Sequence, residues 1–247
     1  RLVPRASATL DPLPAPRYQR RGMTVAPDKP AKPRRIRAVI FDLDGTITRP
    51  YLDFAAIRAE ASLDASQPIL EQMEKLDAAR RTQVQAILER HEEEAARNSE
   101  LHDGAKEVLT ALHQRGIALA LLTRNSRRSV AIVLKKHHLA FDFVRTREDG
   151  ALKPSAEPVR AICAALGVTP EQTLMVGDYL FDIQAGAAAG TATALMIGEQ
   201  PPPAFAHQAD YVIRRLDEIP AILDTAVPGF EARGPNAEAR CPRPDTQ

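Results

Sequence analysis

AVIFDLDGTI, residues 38–47, changes character halfway along. AVIF (38–41) is a short apolar run with branched and aromatic side chains, bounded by charge, as expected of a strand buried on both faces. DLDGT follows at once and puts Asp42 and Asp44 where that strand should end. Similar runs recur at IALALL (117–122), FDFV (141–144), TLMVG (173–177), ATALMI (192–197) and DYVI (210–213). Helical patterns near 104–114, 126–138, 155–166, 181–189 and 216–224 alternate with them. Such alternation implies an α/β fold, a parallel sheet flanked by helices.

One stretch breaks the alternation. Residues 52–98 carry helical signal only: FAAIRAEA, then PILEQMEKL opened by Pro68, then RRTQVQAILERHEEEAARN. Ile69, Met73 and Leu76 share one helical face, as do Val84, Ile87 and Leu88, so these helices can pack on one another. His91 to Glu94 are expected to face water. The expected division is therefore a core of 36–50 and 99–224 with a small helical insertion, 51–98, after the first strand. Gly186 and Gly190 in QAGAAAG fit close packing and a helix end.

The ends have a different composition. Residues 1–35 are rich in Pro and Arg, hold only Asp11 and Asp28 as acids and show no apolar periodicity, so a disordered basic extension is expected. An Arg-rich, acid-poor segment also suits a transit peptide, but its prolines break an amphipathic helix. LVPR (2–5) is similar to a protease-site linker, and the chain begins with Arg, so an extension upstream of a start at Met23 is the expectation. Residues 225–247 return to Pro, Gly and charge and are expected to be a disordered tail.

Composition narrows the function. Lys and Arg number 33 against 32 Asp and Glu, so no chain-wide basic field favours nucleic acid, and a small molecule is the expected partner. Cys163 and Cys241 lie in no metal or redox spacing, which suits a reducing compartment. No apolar stretch approaches the length of about 20 residues that spans a bilayer, so a cytoplasmic protein without a membrane segment is expected.

In an open parallel sheet, ligands bind beyond the carboxyl ends of the strands. The residues expected there are Asp42 and Asp44 after the first run, Thr123 after the second, Asp178 after TLMVG with Asp182 four residues on, and Lys153 after FDFV. Carboxylates converging on one point repel one another unless a hard cation lies between them, and an oxygen-only set favours Mg2+. Lys153 and the Thr123 hydroxyl beside that cation would make a pocket for a phosphoryl dianion. Each residue also has an ordinary reading: Thr123 or Asp178 as a helix N-cap, Asp182 as a first-turn acid, Lys153 as a solvated loop residue.

Together, FDLDGTI (41–47), LLTRN (121–125), Lys153 in DGALKP and GDYLFD (177–182) resemble the motifs of the haloacid dehalogenase-like hydrolases, in order and over about Arg37 to Leu223. The resemblance implies a Rossmann-like core with Asp42 as nucleophile and Asp44 as general acid and base. It further implies that Thr123, Arg124, Asn125 and Lys153 hold the phosphoryl group. Asp42, Asp44 (through its carbonyl), Asp178 and Asp182 would hold Mg2+. Dehalogenases generally lack the second carboxylate, so Asp44 favours phosphate esters. The insertion is similar to the cap of the phosphoglycolate-phosphatase-like group, though shorter, and makes Arg49, Tyr51 and Arg58 candidates to touch substrate.

The expected activity is thus a phosphatase acting on a small phosphorylated metabolite, phosphoglycolate or a sugar phosphate. A phosphomutase would use the same aspartyl-phosphate and differ only in returning the phosphoryl group to a sugar hydroxyl. A non-catalytic module would use the basic N-terminal segment to contact an acidic partner, and the full set of motif residues argues against it.

Overall fold

The computed structural model describes residues 35–224, so the expectations for the basic extension up to residue 34 and for the tail from 225 lie outside the described residues. Six strands form one sheet: β1 (Ala38–Phe41), β2 (Ala118–Leu122), β3 (Phe143–Arg145), β4 (Thr173–Gly177), β5 (Ala192–Met196) and β6 (Tyr211–Ile213). All pairs are parallel and the order is β3-β2-β1-β4-β5-β6. The chain runs outward from β1 to β3, then returns to place β4 on the other side of β1. Ile40 thus pairs with Ala120 on one side and Met175 on the other. The crevice beyond the carboxyl ends of β1 and β4 is where such a fold changes direction and binds ligands.

Helices cover both faces. α4 (Ala105–Gln114), α5 (Arg127–His137) and α8 (Ile219–Asp224) pack on one, α6 (Glu157–Leu166) and α7 (Leu180–Ala189) on the other. β1 shows why its run is continuously apolar. Val39 and Phe41 enter the cluster with Leu112 and Val130, while Ala38 and Ile40 enter the cluster with Ile162 and Ala185. Alternate side chains serve opposite layers, so a centrally placed parallel strand has no polar side to show.

The insertion forms α1 (Phe54–Glu60), α2 (Ile69–Met73) and α3 (Ala78–Asn98). Ile57, Ile69, Met73, Val84 and Leu88 are buried in a cluster of their own, with Leu76 and Ile87 packed against it, as the helical spacing predicts. The expectation that His91 to Glu94 face water is only partly met. Glu94 is exposed, but Glu92 and Glu93 are buried. The second half of α3 leaves the insertion and packs along α5, with Ala96 in the main core. There Glu92 pairs with Arg147 and accepts the Ser126 N–H at 3.2 Å, and Glu93 pairs with Arg128 at 2.9 Å. Cations supplied by other elements make burial of these acids tolerable, and helical periodicity carries no trace of them.

α7 packs on the sheet through Gly186. A Cβ there would lie 2.8 Å from Thr193 Cγ2 and 2.9 Å from Met175 Cβ. Gly190 caps the same helix in the left-handed conformation, with φ of 94°. Gly186→Val is expected to lose about 1–3 kcal/mol by overpacking, read as a lower urea midpoint at unchanged m value.

Candidate active site

The turn after β1 presents two carboxylates in different surroundings. Asp42 leaves the strand end while its N–H stays in the sheet, donating to Val176 O at 2.9 Å. Asp44 sits in the tight turn that follows. Its carboxylate accepts from Thr48 Oγ1 at 3.2 Å and from the Asn125 side-chain amide. Gly45 completes the turn with φ of 78°, and a Cβ there would fall 2.0 Å from Asp178 Oδ2. Only glycine lets the first loop and the Asp178 carboxylate come this close.

β4 delivers the second half of the site. Asp178 follows Gly177, and Asp182 lies in the first turn of α7, where its Oδ2 accepts the Tyr179 N–H at 3.0 Å. Asp182 therefore does cap its helix, and its other oxygen is free to serve the site. Gly177 is constrained by contact alone, since a Cβ would meet Asp182 Cγ at 2.1 Å. Carboxylate oxygens of Asp42, Asp178 and Asp182 all lie within 4.8 Å of one another.

Lys153 closes the arrangement from the loop before α6. Its buried ammonium donates to Asp42 Oδ1 at 2.5 Å, Asp182 Oδ1 at 2.6 Å and Leu122 O at 2.9 Å. Burial opposes this charge, but Asp182 and Asp42 outweigh it and raise the Lys153 pKa. Three carboxylates thus face one ammonium, and the acids respond. Burial, opposed by Lys153 and reinforced by Asp182 and Asp44, pushes Asp42 up to about 7. Burial followed by repulsion from Asp42 and Asp182 pushes Asp178 up to about 8. Asp44 is also raised by burial, against the hydrogen bonds from Asn125 and Thr48.

The donor chemistry fits a hard divalent cation. Among the described residues the clustered groups are all carboxylates, no imidazole or thiol joins them, and negative charge exceeds positive. Asp42 and Asp178 are the acids with capacity to spare, because both oxygens of Asp182 already accept hydrogen bonds. The Asp44 side chain stands outside this group of three, engaged by Thr48 and Asn125.

Other expected residues are distributed unevenly. Thr123 is buried at the end of β2 and lines the same cavity as the acids, as does Asn125, whose amide is taken up by Asp44. Arg124 lines it too but is engaged elsewhere. Its guanidinium donates to both oxygens of Glu71 on α2 at 2.7 Å and to Lys153 O at 2.5 Å, and it stacks 4.9 Å over the Phe181 ring. Arg58 lines the cavity from α1; Arg49 and Tyr51 do not. Arg49 pairs with Asp103 at 2.8 Å on the surface, and the half-exposed Tyr51 hydroxyl accepts from Asn98.

The cavity encloses about 510 Å³ between the acids below and the insertion above. Sequence reading missed what holds that roof in place: Glu71 to Arg124, Glu92 to Arg147 and Glu93 to Arg128. Each pairs a helix of the insertion with a loop or helix start beyond a strand end. Charged residues on amphipathic helices usually face solvent, so no local pattern marks them. Phe54, Tyr179 and Phe181 at the cavity were equally unmarked.

The profile of the haloacid dehalogenase-like hydrolase family matches residues 36–190. The pyrophosphatase PpaX of Halalkalibacterium halodurans is 30% identical over 222 residues, covering 80% of this chain and 99% of that protein. An N-acetylmuramic acid 6-phosphate phosphatase of Pseudomonas aeruginosa is 29% identical over 223 residues, covering 79% and 98%. The crystal structure of a predicted phosphoglycolate phosphatase from Haemophilus somnus superposes with a TM-score of 0.60 at 24% identity, covering 76% of this chain and 97% of that one, and so shares the fold. With the family profile spanning more than half of the chain and its motif acids gathered at one strand-end crevice, this protein belongs to the haloacid dehalogenase-like hydrolase family.

Proposed function

We propose that this hydrolase is a Mg2+-dependent phosphomonoesterase that works through an aspartyl-phosphate on Asp42. The observation that carries the reading is the contrast between two neighbouring carboxylates. Asp42 lies against the Lys153 ammonium among the clustered acids, while Asp44 is held apart by Thr48 and Asn125. Pairs of acids placed in unlike environments divide nucleophilic and acid-base work. The names of the similar proteins, a pyrophosphatase and an N-acetylmuramic acid 6-phosphate phosphatase, support hydrolysis at a phosphoryl group, and the second supports a phosphate ester as the target.

In this reading an Asp42 oxygen attacks phosphorus as the P–O bond to the alcohol breaks. Asp44, whose pKa burial raises, delivers its proton to the departing oxygen. Asp44, now ionised, then takes a proton from water as that water attacks phosphorus, and Asp42 is released with inorganic phosphate. Lys153 and Thr123 orient the phosphoryl oxygens, and Lys153 keeps one Asp42 oxygen fixed so that the other points at the substrate. Asp42 and Asp178 would hold Mg2+, with the Asp44 carbonyl assisting and Asp182 steadying Lys153 behind them. The cation would offset the surplus carboxylate charge and the charge developing on phosphoryl oxygens. The insertion serves as a cap that excludes water and contacts the leaving group. A small phosphorylated metabolite is the substrate.

Asp42→Asn is expected to lower kcat for phosphomonoester hydrolysis at least about 10³-fold with the fold intact by circular dichroism. Wild-type activity in that variant would remove Asp42 as nucleophile.

Asp44→Asn should lose about 10²–10⁴-fold on an alkyl phosphate. It should lose much less on p-nitrophenyl phosphate, whose leaving group needs no proton. Equal losses on both esters would argue against proton donation by Asp44.

Because Asp42 and Asp178 hold protons more tightly folded than unfolded, their contribution to stability falls as pH rises from about 4 towards about 8. In chelator, thermal midpoints should decline between about pH 5.5 and pH 8.5, with a shallower decline for Asp178→Asn. Saturating Mg2+ should raise the midpoint more at the higher pH. An equal rise at both values would separate the cation from these acids.

A further inference from the structure

The cavity is larger and less polar than a two-carbon phosphate ester requires. Its volume of about 510 Å³ lies in the range that encloses drug-sized ligands. Polar groups line the floor, at the acids and Lys153, and part of the roof, at Ser66, Gln67 and Glu92. The apolar lining is Phe54, Ile69 and Leu88 from the insertion, with Tyr179 and Phe181 at the start of α7. Two of these are among the few large apolar side chains that stay exposed: Phe54 at 49% and Tyr179 at 55%. Tyr179 and Phe181 meet edge to face with centroids 5.1 Å apart, which holds both rings in place. The roof itself is pinned by the Glu71, Glu92 and Glu93 ion pairs, so this lining is built before any ligand arrives.

Among the described residues, one charged group on the roof holds a buried donor without an acceptor. Arg58 reaches the cavity from α1, its Nε is buried, and among the described residues nothing accepts a hydrogen bond from its guanidinium. A donor left unsatisfied beside aromatic rings suits a ligand that offers an acceptor on a flat apolar body.

We propose that the leaving alcohol of the substrate carries a planar nitrogen heteroaromatic ring, as a nucleoside 5′-monophosphate does. The phosphoryl group reaches Asp42 and Lys153, the ring lies against Phe54 and the Tyr179–Phe181 pair, and Arg58 donates to an acceptor on the ring. The inference rests on the phosphomonoesterase reading and names its substrate class.

Ribose 5-phosphate and nucleoside 5′-monophosphates share the same reacting primary phosphate and differ in the base, so their comparison isolates the ring. Base stacking on aromatic side chains predicts kcat/KM at least about tenfold higher for the nucleotides. In Phe54→Ala and in Arg58→Ala that ratio should shrink to within about threefold, since each removes one of the ring's contacts. Benzyl phosphate, a ring without acceptors, should respond to Phe54→Ala and should lose less in Arg58→Ala than the nucleotides do. Ribose 5-phosphate turned over as well as the nucleotides would overturn the proposal. So would a sugar bisphosphate preferred to both and lost in Arg58→Ala, because Arg58 would then read a second phosphate. Calorimetric binding of the same esters to Asp42→Asn gives the preference without turnover. If no ester were hydrolysed, the phosphatase reading would fail while the ratio of dissociation constants still decided this one.

Discussion

The ammonium of Lys153 is the charge around which the site is assembled. It enters the crevice from the loop before α6 and joins the product of one strand, Asp42 after β1, to the product of another, Asp182 after β4. Its third acceptor is the carbonyl of Leu122 at the end of β2, so one cation ties together three strand ends. Removing one member of a buried charge set typically costs about 3–5 kcal/mol, because the remaining charges keep their desolvation penalty without their partner. The acids exceed what a single ammonium can offset, and their raised pKa values express that imbalance. A site assembled this way is poised for further positive charge.

Strand order explains how so few residues suffice. β1 is central, with β2 hydrogen-bonded on one side of it and β4 on the other. Asp42 and Asp178 stand far apart in sequence, yet they follow adjacent parallel strands in register, Phe41 opposite Val176. Glycines at 45 and 177 remove the side-chain bulk that would hold the carboxylates apart.

Much of this was readable in the sequence, for definite physical reasons. β1, β2 and β4 are short apolar runs closed by a polar residue, Asp42, Thr123 and Asp178, so these strands and their carboxyl-end groups were visible together. The Ile57 cluster of the insertion was visible in helical periodicity. What escaped depends on partners remote in sequence. Glu92 and Glu93 look like a solvated helix face until Arg147 and Arg128 are brought to them. Arg124 stands beside Thr123 in LLTRN and was expected at the phosphate, yet Glu71, which lies 53 residues earlier, takes its guanidinium. Arg49 and Tyr51 lie just before α1 in sequence but outside the cavity, because helix direction rather than sequence proximity decides what α1 presents, and it presents Phe54 and Arg58.

α3 carries a mechanical consequence. Its 21 residues form one uninterrupted helix, about 30 Å long, with Val84 and Leu88 in the insertion's cluster and Ala96 in the main core. A hinged lid needs a pliable stalk on each side, and here one side is a rigid strut. On that side the insertion and the core share one continuous helix, so any displacement of the one relative to the other has to bend α3 or carry its far end along the core.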